Sequence, residues 1–397
     1  MKARKPVTLR ERKEMKRKCK RVDITDFGTI RPWVEECVLR HKKRYDFRDL
    51  LIRHGLSREK YRDSLRTHDC SDYPVDSITR EAIRRIKSGD LSLRPVRIRE
   101  QHDATTGKIR QIGCEEPMQQ IFDYIAVHSC REIWDKRIVP QQMSSMPGRG
   151  QIYGMKLIRK YLKQDDRCIR WAKKHGVRYT RRCAYFVKLD IAKCFPNASR
   201  KKFLELFRRD CGNRTIVWLW EELLRTHETE NYHGFMIGAL VSQWACQYML
   251  SFLYREAMNI RERGKKAVSR MVMFMDDMLL LGSNRKALYN AVRDLSRFAR
   301  CLHFMIKKTF SIYRTANVGI DMMGFVVYAS GKTKIRARDF IRSRRLILRF
   351  ERTGAMTEKQ AKRLVSYKGF YKYSDYGGDF KAFKTAQDII RKEAMAA

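Results

Sequence analysis

The sequence predicts an α+β fold: an antiparallel sheet flanked by helices and followed by a basic, helical C-terminal segment. Three observations carry this reading. Two apolar, strand-like runs deliver aspartates, LDIAKCF at Asp190 and MVMFMDDMLLLG at Asp276-Asp277. Segments of helical period lie around them, in the order strand, helix, helix, hairpin, helix, strand. From about residue 332 onward the chain is strongly basic and mostly helical in pattern.

Charge bounds the function. The 397 residues suffice for two or three packed units. Lys and Arg number 87 against 44 Asp and Glu, a formal net charge of +43. Self-repulsion on that scale opposes compaction, so a polyanionic partner is the economical explanation. Hydrophobic residues at 43% supply a real core and exclude a disordered basic tail. No run approaches the roughly 18 apolar residues of a membrane span, and the N-terminus lacks the apolar core of a secretory signal, so a cytoplasmic protein without a membrane partner is expected. The 11 Cys are irregularly spaced without C-x-x-C, and the 9 His are dispersed. That pattern fits reduced structural thiols better than disulfides or zinc.

The elements follow in order. Residues 1–22 form a Lys/Arg-rich arm. Apolar and aromatic spacing predicts helix between Ile24 and Leu65, and again over Ser77–Ile86 with Ser77 as N-cap. SLRPVRIREQHDATTGKIRQIGCEEP alternates and turns at ATTG, which predicts a hairpin bearing Arg94, Arg97, Arg99, Lys108 and Arg110. A helix follows from Met118 to about Trp134. The Gly/Ser/Pro loop at 139–154, with Arg149, leads into a basic helix; its G-R-G-Q-I-Y-G spacing does not fit a dinucleotide loop. Further on come the strand ending at Asp190, an amphipathic helix capped by Ser199, a Gly-bearing loop into a long apolar helix, the MDD hairpin, another helix and the strand DMMGFVVYA.

Adjacent carboxylates at a turn repel unless a cation neutralises them. An isolated D-D pair is usually a solvated turn. Here Met273, Phe274 and Met275 precede the pair and Met278, Leu279, Leu280 and Leu281 follow it, and solvation explains such flanks poorly. Asp190 likewise ends an apolar strand. Two strands bringing Asp190 and Asp276 to one point would hold two Mg²⁺ ions, with Mn²⁺ as a substitute, and serve in-line phosphoryl transfer.

With these motifs in view, the sequence resembles a reverse transcriptase. LDIAKCF is similar to the first palm motif, IGALVSQ to the second and FMDD to the third. The Lys307-Lys308-Thr309 turn and MMGF are similar to the fourth and fifth. The resemblance spans roughly 80–380. I-G-x-x-x-S-Q, where related enzymes carry Q-G-x-x-x-S-P, and LVSYKGFYKYSD resemble the enzymes of diversity-generating retroelements. The implied architecture is a right-hand polymerase: a basic N-terminal extension (1–80), fingers (81–182), palm (183–330, with part of the fingers between 199 and 232) and thumb (331–397). The resemblance implies RNA-directed DNA synthesis that copies a template-repeat RNA into adenine-mutagenised cDNA. Its partners would be template RNA, primer or cDNA, dNTPs and a small basic helical accessory protein.

The resemblance also implies roles. Asp190, Ile191, Asp276 and Asp277 would hold the metal ions, with Asp277 supportive. Phe195 would sit under the sugar and exclude a 2′-hydroxyl. Lys108 and Arg110 would clamp the triphosphate. Lys308, or Lys307 beside it, would protonate or neutralise pyrophosphate. Ile237 replaces a Gln that would check nucleotide geometry, Gly238 admits the base pair, and Gln243 stands where other families use Pro. Arg149, Arg336, Arg338, Arg342 and Arg345 would contact nucleic acid, the last four within a dense basic run at the thumb helix. A core Phe, a core Ile, a hairpin touching template backbone and a solvated lysine turn are the structural alternatives for Phe195, Ile237, Lys108/Arg110 and Lys308. An antiphage-defence or retron-type reverse transcriptase is the second functional reading. A maturase-like RNA-binding protein without polymerisation is a third, from a different class.

Overall fold

The computed structural model describes residues 17–102, 107, 109–228, 234–376 and 381–396. The turn ATTG, Lys108, most of the basic arm and the glycines of SDYGG lie largely or wholly outside them. The chain opens with helices α1 (Phe27–His41), α2 (Tyr45–Arg53), α3 (Arg58–Thr67) and α4 (Val75–Ser88). The hairpin strands β1 (Arg97–His102) and β2 (Ile109–Cys114) and helices α5 (Pro117–Ser129) and α6 (Arg131–Arg137) follow. Then come β3 (Gln142–Met143), the long α7 (Gln151–Lys174) and β4 (Tyr185–Asp190). Next are α8 (Cys194–Asn197), α9 (Arg200–Asp210), α10 (Arg214–Arg225) and α11 (Leu240–Asn259). A ribbon, β5 (Arg261–Glu262) and β6 (Lys265–Lys266), precedes β7 (Arg270–Phe274), β8 (Asp277–Gly282) and α12 (Arg285–Cys301). Strands β9 (Ile312–Arg314), β10 (Ile320–Met322), β11 (Phe325–Val327) and β12 (Thr333–Ile335) lead to α13 (Ala337–Thr353), α14 (Glu358–Tyr373) and α15 (Lys381–Ala396).

These elements form two compact units. The first draws on 1–139, 192–252 and 299–305. Its centre is aromatic: Trp134, Phe203, Phe207, Trp220 and Tyr248 stack or meet edge-on, the offset and T-shaped geometries that ring quadrupoles favour. Within it Arg137 donates twice to Asp210 at 2.7 and 3.0 Å, and the Tyr248 hydroxyl donates to the same carboxylate at 2.6 Å. A buried carboxylate with that many donors is satisfied rather than stranded. Asp26 caps α1 and Ser57 caps α3, each accepting from a backbone N–H. Ser77 is not a cap. Helix α4 already begins after Pro74, whose fixed φ suits a helix start, and the Ser77 hydroxyl instead meets His54 Nδ1 at 2.9 Å. The helix expected from Met118 to Trp134 is two, because Cys130 leaves helical geometry between α5 and α6.

The second unit draws on 140–191, 253–298 and 306–397. It holds a five-stranded sheet in the order β3-β7-β8-β4-β9, antiparallel except for β3 beside β7. Phe186, Val272, Leu279 and Leu281 pack against Met155, Ile158 and Leu162 of α7 and against Ile320, Met322, Phe325 and Val327. DMMGFVVYA is not one strand. It folds back as β10 and β11, turning at Met323 and Gly324, both at positive φ; glycine makes that turn accessible. The basic segment forms α13, α14 and α15 around Ile347, Leu364, Tyr371 and Phe383. Arg336 precedes α13 as its N-cap residue, so it stands outside the helix that carries Arg338, Arg342 and Arg345. No helix among the described residues is long and apolar enough to cross a membrane.

Candidate active site

Three carboxylates meet at one end of the five-stranded sheet. Along β4, Val187 and Leu189 are buried, while Lys188 is exposed and Asp190 half-buried. This period-two pattern puts Lys188 and Asp190 on one face. β8 pairs with β4 so that Asp190 stands directly opposite Asp277. Directly opposed residues of antiparallel strands point the same way, with Cα atoms about 5 Å apart. Asp276 sits at the tip of the β7–β8 turn, after Met275 in the left-handed region at φ 53°. The tip is held from both sides: the Met275 N–H donates to the Met143 carbonyl at 3.2 Å, and the Ile191 N–H donates to the Asp276 carbonyl at 3.2 Å. The Ile191 side chain is buried and apolar, so only its carbonyl is chemically able to serve a cation.

The cationic side chain on this cluster is Lys307. Its Nζ lies 2.7 Å from Asp190 Oδ1, and its backbone N–H donates to the Asp190 carbonyl at 2.9 Å. The hydrogen bond to Asp190 raises the Lys307 ammonium above the usual lysine range. Lys308, the residue singled out from sequence, instead lines a cleft with Arg285, Lys286, Tyr289 and Phe310. Desolvation, then the neighbouring Asp277 and Asp190, hold Asp276 above the usual carboxylate range, against the pull of its own backbone N–H and of Lys307. Desolvation also raises Asp277, opposed by Lys188, Arg336 and Lys307. Both shifts say that the arrangement disfavours its own full charge. Among the described residues, no three His, Cys, Asp or Glu side chains are gathered at metal-ligand spacing. The donor set nevertheless suits a hard cation in kind: it is oxygen-only and under-neutralised, with the Lys307 ammonium on Asp190.

The nucleotide-side candidates lie in the first unit. Phe195 is half-buried in the short α8, and its carbonyl accepts from the Phe235 N–H at 2.8 Å. The Ile237 carbonyl accepts from Gly113 of β2 at 2.7 Å. Gly238 has φ 111°, and a Cβ there would lie 2.8 Å from the Gly113 carbonyl oxygen, so only glycine fits without strain. Gln243 is half-buried in the first turn of α11. Arg110 is exposed on β2 opposite Gln101. Lys108 lies outside the described residues.

Beneath Gly238 is a polar cluster that sequence reasoning missed. Asp123, fully buried on α5, accepts from the Val241 N–H at 3.1 Å. Ser242 Oγ is 3.5 Å from His227 Nδ1, and His227 Nε2 is 3.2 Å from Glu115 Oε1. Burial pushes Glu115 up to about 8 and Asp123 well above its ordinary range. It pulls His227 down to about 4. The cluster is thus held toward neutrality, and it ties the end of β2 to the start of α11. The one sequence signal was Asp123 itself, an acid inside the apolar helix MQQIFDYIAV.

The basic candidates are dispersed. Arg149 closes a turn, its N–H donating to the Met146 carbonyl and its carbonyl accepting from Ser144. Arg336 pairs with Asp321 at 2.6 Å. Arg338, Arg342 and Arg345 follow one face of α13 at four- and three-residue spacing; Arg338 also approaches Asp339 at 3.5 Å.

The family model described as reverse transcriptase (RNA-dependent DNA polymerase) matches residues 98–327. No curated protein sequence matches the chain. Among solved structures, apo telomerase from Candida tropicalis is similar at 12% identity and a TM-score of 0.47, over 77% of this chain and 58% of that one. Telomerase from Candida albicans, in complex with a fragment of telomeric RNA, is similar at 11% identity and a TM-score of 0.41, over 77% of this chain and 54% of that one.

Proposed function

Because the chain belongs to the reverse transcriptase (RNA-dependent DNA polymerase) family, we propose that it copies an RNA template into cDNA by nucleotidyl transfer at the Asp190–Asp276–Asp277 cluster. The observation that carries the proposal is the register that sets Asp190 opposite Asp277, with Asp276 beside them. Enzymes of this kind generally use divalent ions. Two Mg²⁺, or Mn²⁺ in their place, would be held by Asp190, Asp276, Asp277 and the Ile191 carbonyl. They would supply charge stabilisation for the attacking and leaving oxygens.

The protein's own groups do the rest. Lys307, whose Nζ lies 2.7 Å from Asp190 Oδ1, would meet a departing phosphate if a divalent ion took over Asp190. Lys308 stays the alternative donor from the same turn. Phe195 excludes a ribose hydroxyl, and Lys108 and Arg110 hold the triphosphate. Gly238 lets backbone approach the nascent pair, with Gln243 at the head of its helix. Arg149, Arg336, Arg338, Arg342 and Arg345 neutralise template or primer phosphates. Fingers at 81–182, palm at 183–330 and thumb at 331–397 belong to the same reading, as does a small basic accessory protein.

Within the family, Ile237 supports the diversity-generating type: an apolar side chain cannot hydrogen-bond the incoming nucleotide, so selection is looser. The test is primer extension by the purified chain on a structured RNA with Mg²⁺ and dNTPs, with the products sequenced. We expect errors concentrated opposite template adenines, reduced in Ile237→Gln. Accurate cDNA from the unmodified chain would favour a retron or defence enzyme. No cDNA under any primer, template or accessory condition would leave an RNA-binding protein.

A further inference from the structure

Helix α7 packs on the sheet through Met155, Ile158 and Leu162. Trp171 lies nine residues past Leu162, about 13 Å further along the axis. It is 58% exposed, an unusual place for the largest apolar side chain. It is also held still. The His175 ring stacks on it with centroids 4.4 Å apart at 24°. The orientation of His175 is fixed by its Nδ1, which donates to the Trp171 carbonyl at 2.8 Å. The chain beyond is tied back to the same helix. Buried Asp165 accepts from the Tyr179 hydroxyl and from the Arg182 and Cys183 N–H groups at 2.8 to 3.0 Å. The Val177 N–H donates to the Ala172 carbonyl at 2.9 Å.

Charge surrounds this platform. Arg167 and Lys174 share its helical face, at i−4 and i+3 from Trp171, while Lys173 lies in the same last turn and Arg178 just beyond the helix; all four are exposed. The nearby acid in sequence, Asp166, is engaged by Arg170 and Arg181. Among the described residues, none of Arg167, Lys173, Lys174 and Arg178 has a carboxylate partner. A stacked, exposed aromatic pair with unneutralised cations close by in the chain suits a polyanion with flat rings to stack. A protein-docking face would be depleted in such lysines.

We propose that Trp171 and His175 stack unpaired bases of the template RNA, while Arg167, Lys173, Lys174 and Arg178 hold the adjoining phosphates. The choice of RNA rests on the proposed template-copying function. Stacking is tolerant of sequence, so the site would hold a loop or bulge by its unpaired state.

The test uses the full chain without divalent ions or dNTPs, so that polymerisation plays no part. Equilibrium binding is measured to an RNA hairpin with a six-nucleotide loop, to a fully paired RNA duplex and to a DNA hairpin of the same design, across a salt series. Trp171→Ala should weaken looped-RNA binding by about five- to a hundredfold, leave the log–log salt slope unchanged and spare the duplex. Trp171→Phe should restore most of the loss. Lys173→Ala/Lys174→Ala should lower the salt slope by about one to two and weaken looped RNA and duplex alike. Trp171→Ala should melt like the unmodified chain and, at saturating template, extend a primer at the unmodified rate, which separates failure of this site from failure of the polymerase reading. Unchanged looped-RNA affinity in Trp171→Ala, or an equal loss on loop and duplex, overturns the proposal. A loss confined to the DNA hairpin reassigns the site to cDNA and overturns it as stated. So does an acidic protein that requires Trp171 while RNA affinity does not.

Discussion

Asp276 and Asp277 stand at a hairpin tip where desolvation, and then neighbouring carboxylates, raise them, opposed by Lys307 at Asp276 and by Lys188, Arg336 and Lys307 at Asp277. Asp123 and Glu115 are sealed in the first unit, where burial drives them toward the neutral acid. Both sets are raised by desolvation, and they differ in what surrounds the carboxyl groups. At the tip the carboxylates face one another and have kept water access, so an incoming cation can discharge the repulsion. In the cluster each acid has been moved out of reach of water, and neutrality turns it into hydrogen-bonding hardware for a helix start. What separates the two places is access: the tip carboxylates are open to an ion, whereas in the cluster Asp123 Oδ2 accepts from Val241, Asp123 Oδ1 is buried without a hydrogen-bond partner and Glu115 meets His227.

The largest expected effect breaks the first half of that contrast. Asp276→Asn should lower primer extension by about a thousandfold or more, because several kcal/mol of transition-state charge stabilisation depend on the carboxylate. The same change should raise the melting temperature of the metal-free chain near neutral pH. A raised folded-state carboxyl costs stability above its titration, and asparagine removes that cost. Activity and melting curves of one preparation check both; retained activity or a lowered melting temperature sinks the account.

A smaller effect sharpens the second half. Asp123→Ala should destabilise by about 1–3 kcal/mol, since the Val241 N–H loses its acceptor inside the core. Asp123→Asn should stay close to the unmodified chain, because a protonated acid and an amide are nearly isosteric. Urea titration distinguishes the two, and equal losses would mean that the charge itself is needed.

A third effect is in pH dependence. Between about 4.5 and about 8 the folded chain keeps a Glu115 proton that the unfolded chain has released. Stability therefore falls as pH rises through that window, with the full cost present above it. His227 works from the other side: between about 6.5 and about 4 the unfolded chain gains a proton that the folded chain refuses, so stability falls as pH falls. Glu115→Gln should flatten the decline on the alkaline side and leave the acid limb. An unaltered alkaline decline in urea titrations across pH would refute the assignment.

Much of the sheet around the three aspartates was legible because apolar alternation is a local property. Val187 and Leu189 announce a strand around Asp190, and the flanks of MDD announce a hairpin. What pairs with what is not local: nothing near Asp190 says that it faces Asp277 rather than Asp276. The choice between Lys307 and Lys308 depends on which way the chain crosses β4, a matter of one residue in register. Asp123, Glu115 and His227 come together only through tertiary packing, so each reads alone as an unremarkable polar residue. The β10–β11 turn was hidden because MMGFVV looks like a continuous apolar run, and only Gly324 hinted at reversal.

The strand order of the five-stranded sheet also governs how the chain must be made. β4 finds neither of its neighbours, β8 and β9, until roughly ninety or more further residues have been synthesised. At about 5–20 residues per second, β4 would wait several seconds beside the ribosome with both edges open. A basic nascent chain with an unpaired Val/Leu strand is a natural client for chaperones and for premature RNA capture. Slowing translation between Asp190 and Asp277 should therefore lower the soluble yield more than slowing it after Arg314.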